Sequence, residues 1–196
     1  MASARRIGLE NSRTRAALLD AAEQLMRDEG YAAVTSRRLA SAAGLKPQLV
    51  HYYFRAMDDL FLAILRMRTE QNLKRQTQAL ASKQPLWALW EMNNHRAGAT
   101  LIMEFVALSN HRKVIRAEIA GYAEQLRNLQ AEALARAFAD RSTATDACPP
   151  IVMSILLASI SNGLVMESAM GVAAGHDETV KLVEHYLEQL EGPRQI

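Results

Sequence analysis

The chain has 196 residues, 49% of them hydrophobic and 22% charged, with a formal net charge of +2, which is ordinary for a globular protein long enough to hold a small domain and a larger one. One cysteine, Cys148, excludes an intrachain disulfide and a cysteine metal cluster and suits a reducing cytoplasm. Arg5 and Arg6 have no apolar stretch behind them, so the start of the chain does not read as a secretory signal.

The net charge conceals an asymmetry. Residues 1–55 carry nine Lys or Arg against five Asp or Glu, and the remainder carries fourteen against sixteen. The positive end can therefore leave an electrostatic footprint on a phosphate backbone.

Residues 1–12 are small, polar and basic, either a frayed terminus or an arm whose Arg5 and Arg6 reach into a minor groove. From Thr14, the apolar residues Ala17, Leu18, Ala21, Ala22, Leu25 and Met26 recur with helical period up to Gly30. The stretch Thr35–Phe54 then reads as helix, tight turn and second helix. Thr35 suits an N-cap, Leu39, Ala40 and Ala43 form a short apolar stripe, and Gly44 suits the left-handed residue that closes a helix. Pro47 fits the first position of the next helix, from which Val50 and Phe54 face inward. Gln48, Leu49, His51, Tyr52 and Tyr53 face outward. Helix-turn-helix geometry also occurs as plain packing, and here the local positive charge favours DNA.

The rest of the chain is helical by pattern. Residues 57 to about 80 read as a connector, apolar at Leu60, Phe61, Ile64, Leu65 and Met67 and charged on its far half. Two short segments follow, Pro85–Asn94 and Ala97–Asn110. Val114–Phe138 has a one-sided apolar stripe at Ile115, Ile119, Tyr122, Leu126, Leu129 and Ala133. Residues 140–150 are a loop by composition. Residues 151–170 are apolar nearly all round, a pattern of a fully buried helix or a membrane span; Ser154, Ser159, Ser161, Asn162 and Glu167 argue against the span. The last helix, about Asp177–Glu191, spaces Val180, Val183, Leu187 and Leu190 as a seam suited to a partner helix.

The run Thr14–Leu60 resembles the amino-terminal domain of the tetracycline-repressor (TetR) family of bacterial transcriptional regulators. The resemblance is carried by Ala17, Ala21, Ala22, Gly30, Tyr31, Thr35, Leu39, Ala40, Ala43, Gly44, Pro47, the run Val50–Phe54 and Leu60. It departs from the family's usual residues at Lys46 (usually Ser or Thr), His51 (usually Tyr), and Ala56 and Met57 (usually a small polar residue and then a lysine). Asp58 and Asp59 fit, since acidic side chains in a first turn complement the helix dipole.

The resemblance implies an all-α fold: a flexible basic arm (1–12), a three-helix helix-turn-helix DNA-binding domain (13–56) and a larger helical effector-binding and dimerisation domain (57–196). It implies a homodimer joined through residues 151–170 and 177–191 on a palindromic double-stranded DNA operator, most simply a cytoplasmic repressor released by a small-molecule effector. By the same resemblance, Arg37, Gln48, Leu49 and Tyr52 are candidates for base contacts, and Thr35, Lys46, His51, Tyr53 and Arg55 for phosphates.

For the effector there is composition rather than motif. Trp87, Trp90, Met103, Phe105, Tyr122, Met166 and Met170 could line an apolar cavity, with His95, Glu104, Asn162 or Glu167 orienting a mostly hydrophobic ligand; the same residues could be plain core. The sequence has no Gly-rich phosphate loop, no G-x-S-x-G elbow and no paired His at metal spacing, so neither enzyme, metal site nor cofactor is expected, and no membrane partner. The alternative is a dimeric helical protein-interaction module with a residual helix-turn-helix, which the departures at Lys46, Ala56 and Met57 keep open.

Overall fold

The computed structural model describes residues 13–94, 98–139 and 148–195, all of them helix or connecting turn. In chain order the helices are α1 (Arg13–Glu29), a 3-10 turn (Tyr31–Ala33), α2 (Ser36–Ala42), α3 (Pro47–Tyr53), α4 (Met57–Leu80), α5 (Pro85–Asn93), α6 (Ala99–Ser109), α7 (Lys113–Ala137), α8 (Pro150–Ala169) and α9 (His176–Glu191). Their ends follow local chemistry: Pro opens α3, α5 and α8, and Gly192, with φ 81°, closes α9. The basic arm and the greater part of the 140–150 loop lie outside the described residues.

Two compact units result. The first comprises residues up to Thr69 together with Thr100–Ala120, and so extends well past residue 56. The reason is a shared core: Leu18, Ala22 and Met26 of α1, Leu39 and Ala40 of α2, and Val50 of α3 bury with Leu60, Phe61 and Ile64 of α4, Leu101, Phe105 and Leu108 of α6, and Ile115 of α7. Three short helices could not bury enough apolar surface alone. Charged groups brace the same unit. Arg66 forms a two-bond pair with Glu118 (2.9 and 2.8 Å), and Arg112 bonds Asp58 at 2.7 Å.

The second unit, Glu70–Ala99 and Gly121–Ile196, has its own core of Leu86, Trp87, Leu89 and Trp90 on α5, Leu134 on α7 with Phe138 just beyond it, Met153 and Leu157 on α8, and Val183 and Leu187 on α9. The Val180–Leu190 seam thus faces its own subunit, with Val183 and Leu187 buried and Val180 and Leu190 packed beside them. The exposed apolar residues of α9 are instead Leu182 and Tyr186, each 57% exposed. Helix α8 is buried at Met153, Ser154, Leu157 and Ser161 and leaves Ile151, Val152, Leu156 and Met166 exposed. It is long and apolar enough to cross a membrane by length and composition, with 22% of its most apolar window buried.

Candidate nucleic-acid interface

The candidate interface is built on α2, α3 and the turn between them. The Thr35 hydroxyl accepts the Arg38 N–H at 3.3 Å, capping α2. At the other end of α2, Gly44 takes φ 66° and carries a paired closure: Leu45 N–H to Ala40 O at 2.8 Å and Gly44 N–H to Ser41 O at 3.1 Å. The left-handed residue turns the chain sharply into α3, where Lys46 occupies the N-cap without a side-chain hydrogen bond.

Val50 and Phe54 are buried, anchoring one face of α3. The opposite face is open. Gln48 and His51 are exposed, Tyr52 is 62% exposed, and Leu49 and Tyr53 are half-buried. Tyr52 and Tyr53 meet edge to face with ring centroids 5.1 Å apart, which limits how either ring can turn. Thr35, Arg37, Lys46 and Arg55 are also exposed. Arg37, Lys46 and Arg55 make no ion pair among the described residues, so their charge is available to phosphates. Arg38, by contrast, is paired with Glu29.

Two of the unusual positions have local explanations. The backbone N–H of Ala56 is accepted by Asp59 Oδ2 at 3.1 Å, so the start of α4 keeps half of a capping box although its N-cap side chain is only a methyl. Met57 packs against the first core, and its sulfur accepts the Ser36 hydroxyl at 3.7 Å, tying α4 to α2.

This geometry has known counterparts. Residues 18–64 match the model of the bacterial regulatory proteins, tetR family. The amino-terminal domain of this chain is a tetR-family domain. The HTH-type transcriptional regulator BetI of Rhizobium meliloti (strain 1021) is 41% identical over 61 residues, 31% of this chain and 30% of that protein, so the likeness spans under a third of the relative's length.

Solved structures extend the likeness in fold beyond the tetR-family domain. A putative TetR-family transcriptional regulator from Rhodococcus sp. superposes with a TM-score of 0.72 at 16% identity, over 93% of this chain and all of that one. A TetR transcription regulator from Haloarcula marismortui gives 0.70 at 19% identity, over 91% and 97%, and reduced NemR from E. coli 0.69 at 16%, over 88% and 96%.

The residues named for the effector divide between the two units. Met103, Glu104 and Phe105 belong to the first unit, with Phe105 in its core. Trp87 and Trp90 are core of the second, where the Trp87 indole N–H also donates to Gly192 O at 3.1 Å. Tyr122 is half-buried and bonded to Asn72; burial pushes its phenol pKa up, and the hydrogen bond from Asn72 opposes that shift. Asn162, Met166, Glu167 and Met170 are exposed along the second half of α8 and its end, with Glu167 bonded to His176 Nε2 at 2.8 Å. His95 lies outside the described residues. An open cavity of about 370 Å³ in the second unit is lined by Trp87, Lys181, Glu184, His185, Glu188 and Arg194, of which composition had pointed only to Trp87.

Glu104 has a role that sequence reading missed, since its carboxylate Oε2 accepts the Tyr31 backbone N–H at 2.7 Å.

Proposed function

We propose that the protein is a homodimeric transcriptional regulator, a repressor that leaves a palindromic operator when a small, mostly hydrophobic effector binds its larger helical part. One observation carries the reading: α3 shows Gln48, His51 and Tyr52 outward from a buried anchor of Val50 and Phe54, and the exposed cations Arg37, Lys46 and Arg55 make no ion pair among the described residues. Hydrogen-bonding and aromatic side chains on an exposed helix can read base edges, and flanking cations hold phosphates.

The exposed apolar residues of α8 and α9 support a second subunit, which would double the reading head and so select a two-fold symmetric site. Release requires only that the effector prefer the arrangement incompatible with DNA; coupling of roughly 1 to 3 kcal/mol is typical. Such a regulator works in the cytoplasm, where its operator is.

Incubating the purified protein with fragmented genomic DNA from its source at near-physiological salt, and sequencing what is retained, tests the reading. Enrichment of a few fragments sharing a palindrome supports it. No enrichment, repeated at low salt with cell extract added, refutes it.

A further inference from the structure

Glu104 is the only acidic residue of α6, and it sits between Leu101, Phe105 and Leu108, which are buried in the first core. Its position fixes the carboxylate at the chain reversal after α1. Gly30 ends that helix with φ 84°, its own N–H bonded to Met26 O at 3.1 Å. Beyond it the turn satisfies three of its own amides: Ala33 N–H bonds Gly30 O at 3.1 Å, Val34 N–H bonds Tyr31 O at 3.1 Å, and Thr35 N–H bonds Ala33 O at 3.0 Å. The Tyr31 N–H takes no partner from this pattern, and Glu104 Oε2 accepts it at 2.7 Å from 73 residues away. The approach is close enough that a Cβ on Gly30 would lie 3.3 Å from the same oxygen.

Four residues after Tyr31 comes Thr35, the cap of α2. The bond from Glu104 therefore holds the chain at the point where it enters the helix-turn-helix.

We propose that Glu104 is a positioning residue for DNA binding, setting the orientation of the α2–α3 pair through the Tyr31 amide; this rests on the DNA-binding reading above. Tyr31 and Glu104 are half-buried, so water can replace the carboxylate when it is removed, and the fold survives. What is lost is preorganisation, because the duplex must then select the competent arrangement from a wider ensemble.

The test compares the wild type, Glu104→Gln and Glu104→Ala. Binding is titrated on a fragment retained in the genomic selection and on random duplex across a salt series, with thermal unfolding alongside. Glu104→Ala should bind the retained fragment about tenfold more weakly, in keeping with one charge-assisted hydrogen bond. The slope of log affinity against log salt should not change, because no phosphate contact is removed. Glu104→Gln, whose amide oxygen can still accept the Tyr31 N–H, should recover most of the loss. Wild-type affinity in Glu104→Ala, or equal losses in the two variants, overturns the assignment.

A second readout needs no DNA. Amide hydrogen exchange over Tyr31–Thr35 should quicken in Glu104→Ala and stay near wild type in Glu104→Gln. Unchanged exchange in Glu104→Ala overturns the assignment even if the wild type binds DNA, whereas a wild type that retains no DNA but shows the exchange effect condemns the DNA-binding reading and leaves the turn contact standing.

Discussion

Arg68 of α4 grips Glu23 of α1 with two parallel hydrogen bonds, Nε to Oε2 at 2.7 Å and Nη2 to Oε1 at 2.6 Å, while Arg27 adds a third and fourth at 2.8 and 3.2 Å. Glu23 is only 5% exposed. A carboxylate so placed would be costly unpaired, and the two guanidiniums make its burial tolerable.

The pair predicts an acid-sensitive contribution to stability. Burial alone would raise the Glu23 pKa, but the hydrogen bonds and charges of Arg68 and Arg27 outweigh burial and lower it below its ordinary 4.5. A carboxyl whose folded pKa is depressed stabilises the fold above its unfolded pKa and loses that contribution as pH falls through the folded one. Glu23→Gln should therefore destabilise the protein by about 2 kcal/mol at neutral pH, the scale of hydrogen bonds to a charged group, with a smaller difference from wild type at pH 3. Chemical denaturation at the two pH values measures both, and a constant difference would exclude the linkage.

The second unit has a comparable contact at its C-terminal end. Glu191, the last residue of α9, accepts the N–H groups of Leu86 and Trp87 at 2.9 and 3.1 Å in the first turn of α5, a helix whose preceding residue, Gln84, gives no side-chain cap. A carboxylate there meets both the unpaired amides and the positive end of the helix dipole. Glu191→Ala should cost about 1 to 2 kcal/mol, as loss of a good cap does, and should lower the transition temperature followed by the fluorescence of Trp87 and Trp90. A melting temperature equal to wild type would show the cap to be dispensable.

How much of this was legible in the sequence depends on the kind of signal. The helix boundaries were, because the 3.6-residue period of Leu18, Ala22 and Met26 and punctuation by Gly30, Gly44, Pro47, Pro85 and Gly192 are local. The outward face of α3 was legible for the same reason, since Val50 and Phe54 fix which side is inward. What covers an apolar face was not. The Val183 and Leu187 spacing marks a buried stripe but does not distinguish a partner helix from the chain's own α5, and α8, apolar almost all round, gives no hint that Leu157 is inside and Leu156 outside. The contact of Glu104 with Tyr31 was invisible for a further reason: its partner is a backbone amide, which every residue but proline carries, so no residue type announces it.

The DNA interface separates two kinds of contact. If Arg37 reads a base, Arg37→Ala should relax preference at one base pair by about 1 to 3 kcal/mol and change random-sequence binding little. If Lys46 holds a phosphate, Lys46→Ala should weaken all sequences alike and reduce the salt slope by about one unit. Titrations on the retained fragment, on single-base variants and on random duplex measure these effects, and equal losses on specific and random DNA for Arg37→Ala would remove it from base reading.

The same spatial logic bears on the proposed dimer. Leu156 on α8 is 50% exposed, and Leu182 and Tyr186 on α9 are each 57% exposed, whereas the opposite faces of both helices are committed to the second core. Exposed leucines in water forgo about 25 cal/mol for each Å² that a partner would cover, so a self-complementary contact between copies is the economical way to bury them. Introducing a charge there should break it while leaving the chain's own packing intact. Leu156→Glu combined with Leu182→Glu should give a folded monomer by sedimentation, with the wild-type helical signal, and operator affinity should fall because two half-sites are no longer read together. A dimer that survives both substitutions would place the subunit contact on another face.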